Sequence, residues 1–584
     1  MFTETTLAFV LIRKGEKIEM TATDKPIFVR RASGLVREMD LKDIILWNSV
    51  AAGIGLGEVS FLVPYYLSLV PGANFILGGV LALIGGLLIA ACYAHFLSAM
   101  PRSGGEYVFL SRLTHPLIGF FFSFSMAMLW VLAYAINMQY SASIFVPFVG
   151  NFIGGSANIP AFWTSTTGIF LVSFVMSFAA LAVTIAGMRA YIRYQLVITA
   201  ISAIAMILFV IVLFNIGSQT NFRTSFNNYA IPYYRDPFIF TNPVTNQNTT
   251  DQNIADPYQF IKDIARDGNY QLPSSASFSF SQTLGMMVIF GFAGMLTTAT
   301  FSSFVAGEMK RADSGKRQLA GLWGGLVLNG VLAIALSIGL MAVVNPDFLG
   351  ALGWANFNPT SGLFRLPTVL LTMPFSFFDW LAPSPIFGIV IDLALWLLAL
   401  TWAIMDLIVL SRLMFAWSFD RLLPSGITHV SDRFKTPTYA IGASWILGIV
   451  FGGLQFVPNY NIAALLSAAG WLVFTVFIAV GLTAIVFPFA KKKLYETMPM
   501  KSSVAGIPVL SIAGILSVIF FGAMASVYIW GPDYAAAGGA WTNFTTYTLV
   551  FFYIVAIAIY AIAYYYWHMK GLDLSLAFKE IPPA

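Results

Sequence analysis

Gly53-Ile54-Gly55-Leu56-Gly57 places three glycines in five residues, inside an apolar run over 42–70. A second interruption, Gly291-Phe292-Ala293-Gly294, stands in a run over 283–305. In a bilayer the backbone must satisfy its own polar groups within the helix, unless the break lines a cavity. Glycine also serves close helix packing, so either cluster alone admits that simpler reading. Two interrupted runs at corresponding positions of two halves point instead to a transporter binding site at mid-membrane. Unwound backbone offers N–H groups at a half-helix N-terminus, which suit a carboxylate. Freed carbonyls suit an ammonium or a metal cation. An amino acid carries both charges.

The rest of the chain fits a bilayer. Its 584 residues are 58% hydrophobic and 10% charged, with a mean hydropathy of +0.79. Soluble proteins are about 45–50% apolar and about 25% charged. About 20 apolar residues cross a bilayer, and twelve runs qualify as spans. Spans one to five lie near 42–70, 73–98, 117–148, 162–188 and 191–215. Spans six to twelve lie near 283–305, 318–344, 385–417, 438–457, 461–489, 506–530 and 545–568. The expected fold is all-α and polytopic.

Several function classes drop out. Cys92 is the single cysteine, so neither an intrachain disulfide nor a cysteine metal site is expected. The four histidines (His95, His115, His429, His568) are scattered, which argues against haem or copper centres. No Walker-type loop is present. No metal site, no cofactor and no enzyme activity are expected, because no membrane-depth ligand cluster or nucleophile–base pair can be named. Nucleic acid is not an expected partner.

Charge sets the orientation. Arg223, Arg235, Lys262, Arg266 and Arg365 fall on one side, and the remainder of the 31 Lys+Arg fall on the other. The positive-inside rule makes the basic side cytoplasmic and places both termini there. The sequons at Asn248 and Asn543 lie on the opposite side, as glycosylation requires. Leu7–Ile12 is too short for a signal peptide and follows Glu4. The polar interval 217–282 reads as a long extracellular loop, either a cap covered by glycans or a protein partner, or a gate.

Pro101-Arg102-Ser103-Gly104-Gly105-Glu106-Tyr107-Val108-Phe109-Leu110-Ser111-Arg112 resembles the loop after span two of amino acid–polyamine–organocation permeases. Ser411-Arg412, Phe419-Asp420-Arg421-Leu422-Leu423-Pro424 and Thr436-Pro437 are similar to that family's pattern from span eight into span nine. Gly571-Leu572-Asp573-Leu574-Ser575-Leu576 with Pro582-Pro583 fits its archaeal and bacterial members. The resemblance covers about residues 30–584, apart from 217–282.

The resemblance implies a five-plus-five inverted repeat with broken spans one and six. The parts are then a tail 1–41, a repeat 42–215, the loop 216–282, a repeat 283–490, peripheral spans within 491–568 and a tail 569–584. It implies that Gly53, Gly55 and Gly57 hold the substrate carboxylate. Phe290, Gly291, Phe292, Ala293 and Gly294 then cap the amino group. Counting back from Gly307-Glu308 instead puts the family's glycine nearer Thr298.

Glu58 departs from the family, which commonly has an apolar residue there. An acid at that depth is costly and faces a cavity or a partner. It is a candidate proton carrier, a partner for a substrate ammonium, or a structural hydrogen-bonding group. Sodium sites in this fold resemble span-one carbonyls with span-eight hydroxyls, and Thr401 supplies one hydroxyl. Proton-coupled relatives can place a lysine in span five where alignment on Gln195 puts Ser202. Neither signature is complete, so H+ is expected over Na+ as the coupling ion, on the strength of Glu58.

Asp392 and Asp406 share a stripe of span eight, about 21 Å apart along an ideal helix. Asp392 is expected to reach the outer interface. Asp406 is expected to pair with a basic residue at the inner gate, near Arg412. Arg102, Glu106 and Arg112 are expected to form a charge network around the Gly104-Gly105 hinge. The function expected is secondary transport of amino acids or related amines across the cytoplasmic membrane by alternating access. The alternatives are a non-transporting sensor on this scaffold and a subunit of a larger envelope assembly.

Overall fold

The computed structural model describes residues 12–13, 16–17, 34–57, 67–150, 152–153, 159–234, 238–241, 248–251, 254–272, 278–290, 299–357, 364–366, 385–457, 462–530, 543–574 and 578. Ten helices among them are long and apolar enough to cross a membrane. Spans two to five are Phe75–Ala99, Pro116–Gly150, Thr166–Ala186 and Met188–Ile216. Spans seven to nine are Gly315–Val343, Pro385–Phe419 and Thr438–Gly453. Spans ten to twelve are Ile462–Ala490, Val509–Trp530 and Asn543–Met569. The chain is a multi-pass, all-α membrane protein.

Spans one and six are not among the ten. Span one begins as helix Leu41–Ala51, turns over 52–55 and winds again at Leu56 and Gly57. Span six begins as helix Phe280–Phe290, and the described chain resumes at Ala299, ahead of a 3-10 helix over Phe301–Glu308.

Local chemistry sets the helix ends. Asn74 opens span two by accepting from the Leu77 N–H at 2.9 Å, and Ser165 opens span four by accepting from the Gly168 N–H at 3.2 Å. At 1.5 Å per residue spans three and eight, each 35 residues, run about 52 Å, so they tilt or project beyond the hydrocarbon. These two pack along each other at the centre and are buried over most of their length. Spans four, five, nine and twelve turn Val175, Phe214, Ile446 and Ile562 outward, Phe214 being 82% exposed. That surface suits lipid rather than water.

The packing repeats under one exchange of partners, one for six, two for seven, three for eight, four for nine and five for ten. Span one on seven is matched by six on two, and span five on eight by ten on three. Span three on nine is matched by eight on four, and five on seven by ten on two. Because five is odd, the second unit lies upside down relative to the first. The result is a five-plus-five inverted arrangement with spans eleven and twelve outside it.

Most of the described residues of the polar interval 217–282 lie in helices and strands. It contains helices Gln219–Ala230 and Pro257–Asp267, and strand Phe238–Thr241 pairs antiparallel with Asn248–Asp251. Ser218 and Asp256 are the helix caps, accepting from the Asn221 and Gln259 N–H groups. Phe222, Phe226 and Ala230 recur every four residues and bury one face. Phe226 and Tyr258 meet Phe348 of the helix Pro346–Phe357 between spans seven and eight, with Tyr258 stacked on it at 4.1 Å. Lys262 pairs with Asp347. The described part of the interval therefore packs against the helix between spans seven and eight.

Candidate substrate site at the broken spans

The span-one break is shaped by backbone sterics. Gly53 and Gly55 have φ of +89° and +73°, conformations that glycine adopts without cost. Ile54 between them sits at +51°, which costs an L-residue about 1–2 kcal/mol. Space is limiting as well. A Cβ on Gly53 would lie 2.9 Å from Trp402 Cζ2, and one on Gly55 would lie 2.7 Å from Leu332 Cβ. Helix interruption and close packing, alternatives in the sequence, hold together at the same residues.

The freed N–H groups have partners. Gly53 N–H donates to Val50 O at 2.9 Å, Ile54 N–H to Ser49 O at 3.0 Å, and Gly57 N–H to Gly53 O at 3.0 Å. Gly55 N–H donates to Asn329 Oδ1 of span seven at 2.7 Å. Trp402 of span eight donates through Nε1 to Val50 O at 3.1 Å. Asn48, one turn before the break, links three spans. Its Nδ2 donates to Ser302 Oγ and to Gly321 O, each at 3.2 Å, and its Oδ1 accepts from the Ser302 N–H at 3.0 Å. The broken spans one and six are thus bonded directly to each other.

Below the break, toward the basic side, aromatic rings fill the space between spans one, three, five and six. Trp47 meets Tyr191 at 4.9 Å and Phe301 at 5.8 Å, and Trp130 meets Phe301 at 4.8 Å. Still lower, Arg412 binds Glu308 through two contacts, Nε–Oε1 at 2.9 Å and Nη2–Oε2 at 3.3 Å, with both side chains buried. Glu308 O accepts from the N–H groups of Glu38 and Met39, so the segment leading into span one is tied to the end of span six. Lys310 and Arg317 reinforce the tie by pairing with Asp40.

The two sequence motifs beside this region form one unit. Arg112 pairs with Asp420 at 2.6 Å, and Tyr107 OH donates to the same carboxylate at 2.9 Å. Gly104 N–H donates to Phe304 O at 3.2 Å, and Gly307 N–H to Ser103 Oγ at 3.2 Å, docking the loop after Arg102 onto the end of span six. A Cβ on Gly105 would strike the Phe304 ring at 2.5 Å. Glu106 is fully buried, and its Oε2 accepts from Tyr93 OH at 3.3 Å. Burial pushes its carboxyl up to about 8.

Three expectations are corrected. Arg112 joins Asp420 rather than Glu106, because its helix Glu106–Leu113 turns the two side chains to different neighbours. Asp406 is held by Asn137 Nδ2 of span three at 2.8 Å, and Arg412 is already committed to Glu308. Asp392 does not reach an interface, since it is fully buried.

Thr401 Oγ1 donates to Leu397 O at 2.6 Å and lies 2.9 Å from Tyr194 OH of span five. Ser202 is buried about 12 Å farther along span five, its Oγ without a partner among the described residues. Asn248 opens the second strand of the interval 217–282, and Asn543 opens span twelve. Glu58, Gly291, Phe292, Ala293, Gly294 and Thr298 lie outside the described residues, as does the side chain of Phe290. Sequence reading passes over Asn48, Asn137, Asn329 and Trp402. The asparagines carry a signal, a polar side chain in an apolar run.

No curated protein matches the chain. The profile of the family described as amino acid permease matches residues 44–559, from the first helix into span twelve. With that match covering spans one and six and both sequence motifs beside them, the chain belongs to the amino acid permease family.

Proposed function

We propose that the protein is a secondary active transporter that moves an amino acid by alternating access, with the substrate held at the breaks of spans one and six against spans three and eight. Membership of the family gives the substrate class, amino acids. The observation that carries the rest is the closure on the basic side of the break. On the basic side Trp47, Tyr191, Phe301 and Trp130 close the space, and below them lie the buried Arg412–Glu308 and Arg112–Asp420 pairs. Such a barrier must open if substrate is to leave toward that side. Buried pairs can be exchanged for hydrated ones as a unit, which suits a two-state gate. The basic side is cytoplasmic in this reading. The coupling ion is H+, with Glu58 as its carrier, so Glu58→Gln abolishes pH-dependent uptake while expression is retained.

Accessibility tests the alternation. Ser303 is fully buried in the 3-10 helix Phe301–Glu308, between the aromatic rings and the Arg412–Glu308 pair, and Cys92 is the single native cysteine to be removed. S303C in a Cys92→Ser background is expected to resist a membrane-impermeant maleimide applied from the basic side until substrate is added. Labelling that is equal with and without substrate would contradict alternating access.

A further inference from the structure

We propose that Asn329 of span seven recognises the substrate carboxylate, donating through Nδ2 while its Oδ1 keeps the span-one break in shape; this rests on the transport reading above. Gly321, Gly325, Asn329 and Ala333 recur every four residues along span seven and face span one. Cβ atoms built on the two glycines would strike Ile44 and Asn48, and Ala333 N lies 2.8 Å from a Cβ built on Gly55. This row of small residues lets the two helices approach closely. Asn329 interrupts the row at the level of the break, where its Oδ1 meets the Gly55 N–H.

Half of its amide is accounted for. Oδ1 accepts from Gly55 N–H at 2.7 Å. Nδ2, covalently fixed beside Oδ1, is buried and has no hydrogen-bond partner among the described residues, and the residue is 0% exposed. An unpaired buried donor costs about 1–3 kcal/mol. The Gly53, Ile54 and Gly57 N–H groups are engaged within the turn, whereas the Asn329 amide, bonded to the break itself at Gly55, keeps a donor without an acceptor among the described residues. A charged acceptor gains the most from it. Of the two charged groups on an amino acid, the carboxylate is the one that accepts.

Two roles for Asn329 predict different results. A clamp that only shapes the break affects every substrate equally. A carboxylate donor affects amino acids and spares competitors that lack the carboxylate. Asn329→Asp is nearly isosteric and preserves the acceptor for Gly55 N–H, but replaces the Nδ2 donor with an anionic oxygen. In proteoliposomes, N329D is expected to raise the KM for the transported amino acid by about ten- to hundredfold. The concentration of the matching decarboxylated amine that competes with uptake is expected to stay within about threefold. N329A, which introduces no charge, is expected to shift the same ratio about tenfold, keeping the test alive if N329D does not fold. An unchanged ratio in both variants, with wild-type protein transporting normally, would overturn the carboxylate role alone. Absence of transport by the wild type would overturn the transport reading and this proposal together.

Discussion

Arg412 and Glu308 show what a single buried charge demands here. Both side chains are within 2% of complete burial, and each satisfies the other through two contacts. Removing one partner strands the other, which costs about 3–5 kcal/mol, whereas replacing both by apolar groups of similar volume is often neutral. Arg412→Met and Glu308→Leu are each expected to lower the unfolding midpoint in detergent, and the double variant to recover most of the loss. Additive losses in the double variant would mean that the pair contributes nothing through its mutual contact. Glu308 and Arg412 are 104 residues apart in sequence. Nothing in the order of residues joins them, whereas Asp406 stands within two turns of Arg412 on the same helix and invites the wrong pairing.

The broken first span shows what a short element demands. Gly55 combines a φ of +73° with a Cβ position 2.7 Å from Leu332 and 2.8 Å from the Ala333 backbone. Gly55→Ala therefore meets a conformational and a steric cost together, at least about 1–2 kcal/mol from the backbone alone. Uptake is expected to fall well below wild type. Gly522→Ala in span eleven, where nothing lies within 4 Å of the new methyl, is expected to be silent or slightly stabilising. Equal uptake by G55A and wild type would remove the break from the mechanism.

Elements differ in how legible they are. The ten unbroken spans can be read because apolar runs end at charges and at caps such as Asn74 and Ser165. The interruption of span one can be read because a second Gly-interrupted run stands at the corresponding position of the other half. The interval 217–282 cannot. Ser218, Asp256 and Pro257 mark loops and helix starts alike, and the buried face of Phe222, Phe226 and Ala230 shows itself only against Phe348. The polar links at the site fall between these cases. Asn48, Asn137 and Asn329 stand out in apolar runs, but their partners lie 254, 269 and 274 residues away.

Across the whole molecule, the basic end carries one buried carboxyl that responds to pH. Glu106 sits at the docked loop, where burial holds its carboxyl at about 8 rather than the ordinary 4.5. The folded state therefore binds the proton more tightly than the unfolded chain does. The stability contributed is full below about 4.5, declines as pH rises and is gone above about 8. Thermal unfolding in detergent is expected to show that decline in the wild type and a flatter profile in Glu106→Gln. An identical slope in both would assign the pH response to other groups. The same loop contacts the end of span six through Gly104 and Ser103.

Uptake of a labelled amino acid panel into proteoliposomes, with proton and sodium gradients imposed in separate runs, tests the central claim most directly. Accumulation of at least one amino acid above equilibrium, driven by the proton gradient and not by the sodium gradient, is the predicted result. Accumulation driven by sodium alone would contradict the proton coupling. Binding without flux under either gradient, in correctly oriented protein, would contradict transport itself.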